Sequence, residues 1–156
     1  MDVAAAYRSH GHSVLRRAQS ILGNRFDAEE ILQEIFVGLA ERPQQFEGKS
    51  SLATFLYAAT TNACLTRIRK QQNRARIINN EFAPWRCEVD RPSTQYAVLV
   101  RELLADVPAI EAAAAIYHYC DGMTHAEIAD VLGCSRRHVG NLLLQLSCRI
   151  ARKEAV

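Results

Sequence analysis

Hydrophobic residues recur along most of the chain with the three-to-four-residue spacing of amphipathic helices, and no stretch alternates convincingly with a strand period. In the N-terminal half this spacing predicts a first helix over 3–22. Asp27, followed by Glu30, predicts a capping box that opens a second helix, which Pro43 ends. Ser51 is the predicted N-cap of a long third helix. The pattern therefore indicates an all-α fold.

The apolar pattern decays between about 74 and 94, where Asn, Pro and Arg replace it. It resumes near Tyr96, and Pro108 opens a further helix that runs to Tyr119. We therefore expect two small helical domains joined by a linker. The predicted boundaries are 1–76 for the N-terminal domain, 77–94 for the linker and 95–156 for the C-terminal domain.

The C-terminal domain contains the pattern of a helix-turn-helix. Thr124 and Glu127 form a capping box for a short helix, Gly133 makes the turn, and Ser135 caps a second helix with a basic start. Such a second helix fits the DNA major groove, and its first turn faces base edges and phosphates. The alternative is a helical hairpin with a basic rim. The side chains predicted to meet DNA are Ser135, Arg136, Arg137, His138 and Asn141.

Charge is strongly segregated along the chain, although the net charge over 156 residues is only +2. Residues 27–41 hold five acids and no base, whereas 48–80 hold six bases and no acid, and 134–153 hold five bases and no acid. Any one of these blocks could be a solvated face. Two unmixed basic blocks on helices favour a polyanionic partner, and the acidic block favours a separate protein partner.

Composition excludes several other classes of protein. No apolar run approaches the roughly 18 residues of a membrane span, and the N-terminus lacks the apolar core of a signal peptide, so we expect a cytoplasmic chain without membrane insertion. Five cysteines without a Cys-x-x-Cys pair suit reduced thiols. A zinc or thiol sensor is a weaker alternative, because Cys120, Cys134 and Cys148 are each 14 residues apart.

No cofactor, metal or catalytic residue is expected. Gly48-Lys49-Ser50 lacks the upstream glycine and the preceding strand of a phosphate-binding loop. No nucleophile–base arrangement, carboxylate pair or dinucleotide fingerprint is placed convincingly. An enzyme is therefore not predicted.

Two motifs in order resemble a known family. The segment 27–36, with the loop 46–51 and the helix after it, resembles region 2 of bacterial sigma factors, and 121–135 is similar to region 4. The short length and the missing middle region resemble the extracytoplasmic-function (ECF) group of the sigma-70 family. The resemblance covers nearly the whole chain and implies a sigma factor that binds RNA polymerase core and promoter DNA, commonly held inactive by an anti-sigma factor.

The resemblance also implies roles for particular residues. Glu30, Gln33 and Glu34 match the region that binds the coiled coil of the largest polymerase subunit, and an acidic ridge suits a basic helical partner. The loop Gly48 to Ser51 matches the one that holds a base flipped out of the −10 element. The residues implied in −10 binding are Gly48, Lys49, Ser50, Ser51, Asn62, Arg67, Lys70 and Arg74.

Two departures from the family pattern concern DNA. Phe55-Leu56 stands where primary sigma factors have paired aromatic residues, which implies weaker melting. Gly140, Leu142 and Gln145 stand where the family often has basic residues, so either only the first turn and a half of this helix meets DNA or a partner covers the rest. The alternative to a sigma factor is a stand-alone helix-turn-helix regulator whose N-terminal half senses or dimerises.

Overall fold

The computed structural model of the chain describes residues 1–81 and 106–155, with the backbone alone over 78–81. The chain divides into two compact units, 1–99 and 100–156. The described residues form six α-helices and no strand, so the all-α prediction is confirmed. None of these helices is both long and apolar enough to cross a membrane.

Three helices build the described part of the N-terminal unit. They are α1 (Val3–Leu22), α2 (Arg25–Glu41) and α3 (Leu52–Glu81), and a short 3₁₀ turn, Pro43–Gln45, follows α2. Each helix packs against the other two. Because three amphipathic helices can cover one another's apolar faces, the unit buries its core without a sheet.

The predicted apolar faces form the core of this unit. Burial of each large aliphatic or aromatic side chain contributes roughly 1.5–3 kcal/mol, so these stripes fix which helix faces meet. The buried side chains include Val14, Leu22, Ile31, Phe36, Leu39, Leu56, Cys64 and Ile68.

The start of α2 corrects one prediction. Asn24, not Asp27, is the N-cap: its backbone is extended and its side-chain oxygen accepts a hydrogen bond from Asp27 N at 2.8 Å. Gly23 ends α1 in the left-handed region (φ 76°), so the next residue, Asn24, lies directly before α2 and caps it. Ser51 does cap α3, accepting from Thr54 N at 3.1 Å, as predicted.

The C-terminal unit contains α4 (Ala109–Ala115), α5 (His125–Leu132) and α6 (Arg136–Glu154), and both shorter helices pack on α6. A helix was predicted to run to Tyr119. Its last part, Ile116–Cys120, is instead a π turn. All seven residues of 111–117 are buried, including the four alanines.

The predicted linker is partly visible as helix. α3 continues to Glu81, five residues into 77–94. The remainder of that linker, and the predicted start of the C-terminal domain at 95, lie outside the described residues. The domain boundaries therefore stay predictions.

Candidate protein and nucleic-acid interfaces

The outer face of α2 carries the predicted polymerase-binding residues. Phe26, Glu30, Gln33 and Val37 follow one another at intervals of four, three and four residues, which places them within about 60° around the helix. Phe26 and Val37 are 73% and 54% exposed, and Glu34 adjoins this row. Sequence reasoning missed the two apolar residues, although the same helical spacing could have found them outside the buried stripe.

Arg67 of α3 forms ion pairs with three acids of α2. Its Nη1 lies 2.5 Å from Glu30 Oε2 and 3.4 Å from Asp27 Oδ1, and its Nη2 lies 2.7 Å from Glu34 Oε1. The Arg67 side chain is 17% exposed. The hydrogen bond to Glu30, and then the charge of Glu34, raise the pKa of Arg67, although burial opposes this. Gln71 also donates to Asp27, at 2.9 Å.

A second arginine links α1 to α3. The Arg17 guanidinium donates to Thr61 Oγ1 at 2.9 and 2.8 Å, and it lies 3.5 Å from the centroid of the Tyr57 ring. Thr61 is fully buried and in turn donates to Tyr57 O at 3.1 Å. The contact fixes the middle of α3, and its 44-residue separation left no signal in the sequence.

The loop before α3 is exposed, but its four predicted DNA-binding residues are not equivalent. Gly48 has φ +69°, a left-handed conformation that favours glycine. Lys49 pairs with Glu47, both well exposed, and such a pair contributes little. Ser51 Oγ is already engaged as the cap of α3, whereas Ser50 Oγ donates only a longer bond, 3.3 Å, to Ser51 O. Ser50 is therefore the more available hydroxyl.

The predicted −10 residues on α3 separate into two groups. Asn62, Lys70 and Arg74 are exposed at multiples of four residues, so they form a row about 18 Å long that winds through about 120° around the helix. Arg67 is instead directed at α2. Phe55, the aromatic residue of the Phe55-Leu56 departure, packs edge-on against Phe46, and Leu56 is buried.

In the C-terminal unit, α5 and α6 form a helix-turn-helix with the predicted caps. Thr124 and Glu127 make a full capping box: Glu127 Oε2 accepts from Thr124 N at 2.8 Å, and Thr124 Oγ1 accepts from Glu127 N at 3.3 Å. Thr124 Oγ1 also donates to Glu127 Oε2 at 2.9 Å, and the two bonds that the carboxylate accepts from Thr124, first the backbone one, lower the pKa of Glu127. Gly133 turns the chain at φ 66°, and Ser135 accepts from His138 N at 3.1 Å to start α6.

The first turn and a half of α6 is the exposed polar end of this motif. Leu142, Leu143 and Leu146 are buried, so most of the apolar side chains of this helix belong to the core of the C-terminal unit. Leu144 is the exception, at 64% exposure. The predicted DNA-facing side chains are all exposed: Ser135, Arg136, Arg137, His138 and Asn141.

Two of the three basic residues near the end of α6 are engaged within the unit. Arg149 pairs at 3.1 Å with Glu111, whose side chain is only 4% exposed, and Lys153 pairs at 2.8 Å with Asp106. The two pairs attach the end of α6 to the start of the unit. Two of the five bases predicted over 134–153 are therefore paired within the unit, and, among the residues that the structure describes, the exposed bases without such a pair are Arg136, Arg137 and Arg152.

The cysteines and histidines do not converge on a metal in the described parts of the chain, where no group of three suitable ligands occurs. His118 Nδ1 lies 3.2 Å from Met123 O, and its ring is 5.3 Å from that of His125. Cys64 is fully buried, and burial raises the pKa of its thiol to about 12. Cys87 lies outside the described residues.

Comparison with known proteins agrees with this arrangement. Residues 6–74 match the family model of sigma-70 region 2, and 108–144 match a homeodomain-like domain. The ECF RNA polymerase sigma factor SigG of Mycobacterium tuberculosis, in two strains, is 32% identical over 73 residues, which are 47% of this chain. The match spans 20% of the length of these relatives.

The fold has a solved counterpart. The sigma factor RpoE of Bartonella quintana, in complex with the anti-sigma factor NepR, aligns with a TM-score of 0.55 over 99% of this chain and 98% of that chain. At 18% identity the likeness concerns the fold.

A helical unit that matches sigma-70 region 2, followed by a helix-turn-helix unit, defines the class of this protein: it carries a sigma-70 region 2 domain and a homeodomain-like domain. Its similarity to SigG over 73 residues is a similarity to a member of the ECF group of sigma factors. The resemblance drawn from the sequence is confirmed.

Proposed function

We propose that this protein is an RNA polymerase sigma factor, which binds the core enzyme and directs initiation at particular promoters. The observation that carries the proposal is the presence, in one chain, of a sigma-70 region 2 match and a helix-turn-helix with an exposed basic start. It acts by binding and needs no catalytic residue or cofactor. Its place of action is the cytoplasm, with the polymerase.

The outer face of α2 is the proposed contact with the core enzyme, through the coiled coil of the largest subunit. Glu30, Gln33 and Glu34 supply acidic and amide groups for a basic helix. Phe26 and Val37 support this proposal, because exposed apolar side chains rimmed by polar ones are typical of protein interfaces.

Promoter DNA is the proposed partner of both units. The loop Gly48 to Ser51 would hold a flipped −10 base, and the exposed row on α3 would follow the phosphates of the melted strand. The start of α6 would read the −35 element as duplex. The α3 residues proposed for this role are Asn62, Lys70 and Arg74, and the α6 set is Ser135, Arg136, Arg137, His138 and Asn141.

An anti-sigma factor is a proposed further partner. The support is the fold likeness to RpoE, which was solved with such a protein, and the exposed Leu144 on α6. A clamp over this side chain would cover the helix that reads DNA.

Reconstituted transcription tests the proposal. Core polymerase is mixed with the chain, with Glu34→Lys, or with Glu29→Lys, which makes the same charge change on another face of α2. We expect specific transcripts with the unaltered chain and with Glu29→Lys, and about tenfold less with Glu34→Lys, because a reversed charge opposes a basic partner.

The absence of initiation from every candidate promoter would reject the sigma-factor proposal. A stand-alone regulator would instead bind duplex DNA tightly without polymerase, and its activity would be indifferent to Glu34→Lys. Measuring duplex affinity without the core enzyme therefore separates the two functions.

A further inference from the structure

Arg67 occupies an unexpected place between the two predicted interfaces. The resemblance groups it with Lys70 and Arg74 as a phosphate contact, but those two side chains are exposed and Arg67 is 17% exposed. Its two terminal nitrogens are directed at Glu30 and Glu34 of α2, at 2.5 and 2.7 Å. The residue thus contacts the protein-binding face and not the open row on α3.

The pairing leaves both glutamates able to bind a partner. Each gives Arg67 one carboxylate oxygen, and each remains substantially exposed, Glu30 at 44% and Glu34 at 60%. A carboxylate can accept several hydrogen bonds, so its second oxygen can accept one from a basic helix while the first stays on Arg67. Asp27, Glu30 and Glu34 carry three negative charges and Arg67 carries one positive charge, so the face keeps two net negative charges and still attracts cations.

We propose that Arg67 is a positioning residue of the polymerase-binding face: it holds the Glu30 and Glu34 side chains in place for the core enzyme. The inference rests on the proposed function and adds a residue to its machinery. Long, exposed glutamates lose rotamer freedom when a partner binds, and like charges four residues apart on a helix repel. A guanidinium shared between them reduces both penalties before binding.

Two effects of Arg67 oppose each other, and they act on different rate constants. Its positive charge weakens long-range attraction to a basic partner, which governs association. Its hydrogen bonds hold the two glutamates once they are in contact, which governs dissociation. We therefore expect Arg67→Ala to leave the association rate constant equal or higher, and to raise the dissociation rate constant about tenfold.

The kinetics of the full chain with purified core polymerase test this expectation. The unaltered chain, Arg67→Ala and Lys70→Ala are compared, and the holoenzymes are then titrated with a promoter fragment melted over the −10 region at several salt concentrations. Lys70→Ala should leave core dissociation unchanged and lower the salt slope of DNA binding by about one. Arg67→Ala should raise core dissociation and leave that slope unchanged.

An unchanged core dissociation rate constant for Arg67→Ala would overturn the inference. A salt slope of DNA binding that this variant lowers by about one would show instead that Arg67 contacts a phosphate. Arg67→Lys serves if circular dichroism shows that the alanine variant does not fold. The lysine ammonium lacks the forked guanidinium that spans both glutamates, so we expect the core dissociation rate constant of Arg67→Lys to lie between those of the unaltered chain and the alanine variant. A rate constant equal to that of the unaltered chain counts against the inference. If the unaltered chain itself does not bind core, the proposed function fails.

Discussion

Replacing Glu111 and replacing Arg149, which form an ion pair, should have unequal effects on the stability of the C-terminal unit. Glu111 lies on α4 with its side chain 4% exposed, whereas Arg149 on α6 is 52% exposed. Arg149 Nε donates to Glu111 Oε2 at 3.1 Å, and Nη2 donates to Oε1 at 3.5 Å. Arg149→Met keeps an unbranched apolar stem but leaves a buried carboxylate without its cation. Glu111→Gln removes the buried charge, and the half-exposed arginine keeps its contact with water.

The magnitude follows from the difference in exposure. A buried charge that loses its partner costs about 3–5 kcal/mol. Since half of Arg149 is open to solvent, water screens the pair and can reach the carboxylate in the variant, so we expect a loss of about 2 kcal/mol. Glutamine at 111 still accepts a hydrogen bond from the guanidinium, and its loss should be about 0.5–1 kcal/mol.

Amide hydrogen exchange on the full chain measures both variants. A single unfolding midpoint is not well defined for a chain with two units, whereas peptides from α4 and α6 report the opening of this unit alone. Arg149→Met should speed their exchange about thirtyfold and Glu111→Gln a few-fold, with peptides from α1 as the unchanged control. Faster exchange in Glu111→Gln than in Arg149→Met would refute the reasoning.

Four further outcomes follow from single side chains. Thr124→Ala should destabilise α5 by about 1 kcal/mol, and Thr124→Ser should restore most of it, measured by exchange of α5 peptides. The pKa of Glu127 is lowered in the fold, so the ionised side chain stabilises α5 at pH values above 4.5, the ordinary pKa of a glutamate, and this stabilisation is lost as the pH falls below that value. Protection factors of α5 amides should show the loss, and Glu127→Gln should abolish the pH dependence. Because the pKa of the Cys64 thiol is raised to about 12, iodoacetamide at neutral pH should alkylate the exposed Cys148 first, and mass spectrometry that finds equal labelling would contradict the buried position. Arg136→Ala should weaken binding of −35 duplex by about 1–3 kcal/mol if it reaches a base, and by less if it meets only phosphate, which a titration by fluorescence anisotropy distinguishes.

Features with local causes were predictable from the sequence. The caps at Ser51, Thr124 and Ser135 depend on residues within one turn of each other, so their spacing was sufficient. The buried stripes follow from helical periodicity for the same reason. The error at Asp27 was also local, because Asn24 is an equally good cap three residues earlier and only the end of α1 decides between them.

Contacts between distant segments were not predictable. Arg67 lies 33 and 37 residues from its glutamates, and Arg149 lies 38 residues from Glu111, so charge blocks counted along the chain could not show that they neutralise one another. Acids are rarely buried, and nothing in the alanine-rich segment around Glu111 signals its burial. Packing alone determined which charges remain on the surface.

The residues of the C-terminal unit differ in how well they tolerate substitution, and those of the buried segment 111–117 tolerate it least. Its four alanines let neighbouring helices approach the backbone of α4 closely, and any larger side chain there would force the helices apart. Arg136, Arg137 and Asn141 have no such neighbours to displace, because they are exposed. Substitutions on the outer turn of α6 can therefore change the chemistry of that surface, while the interior that holds the turn in place stays the same.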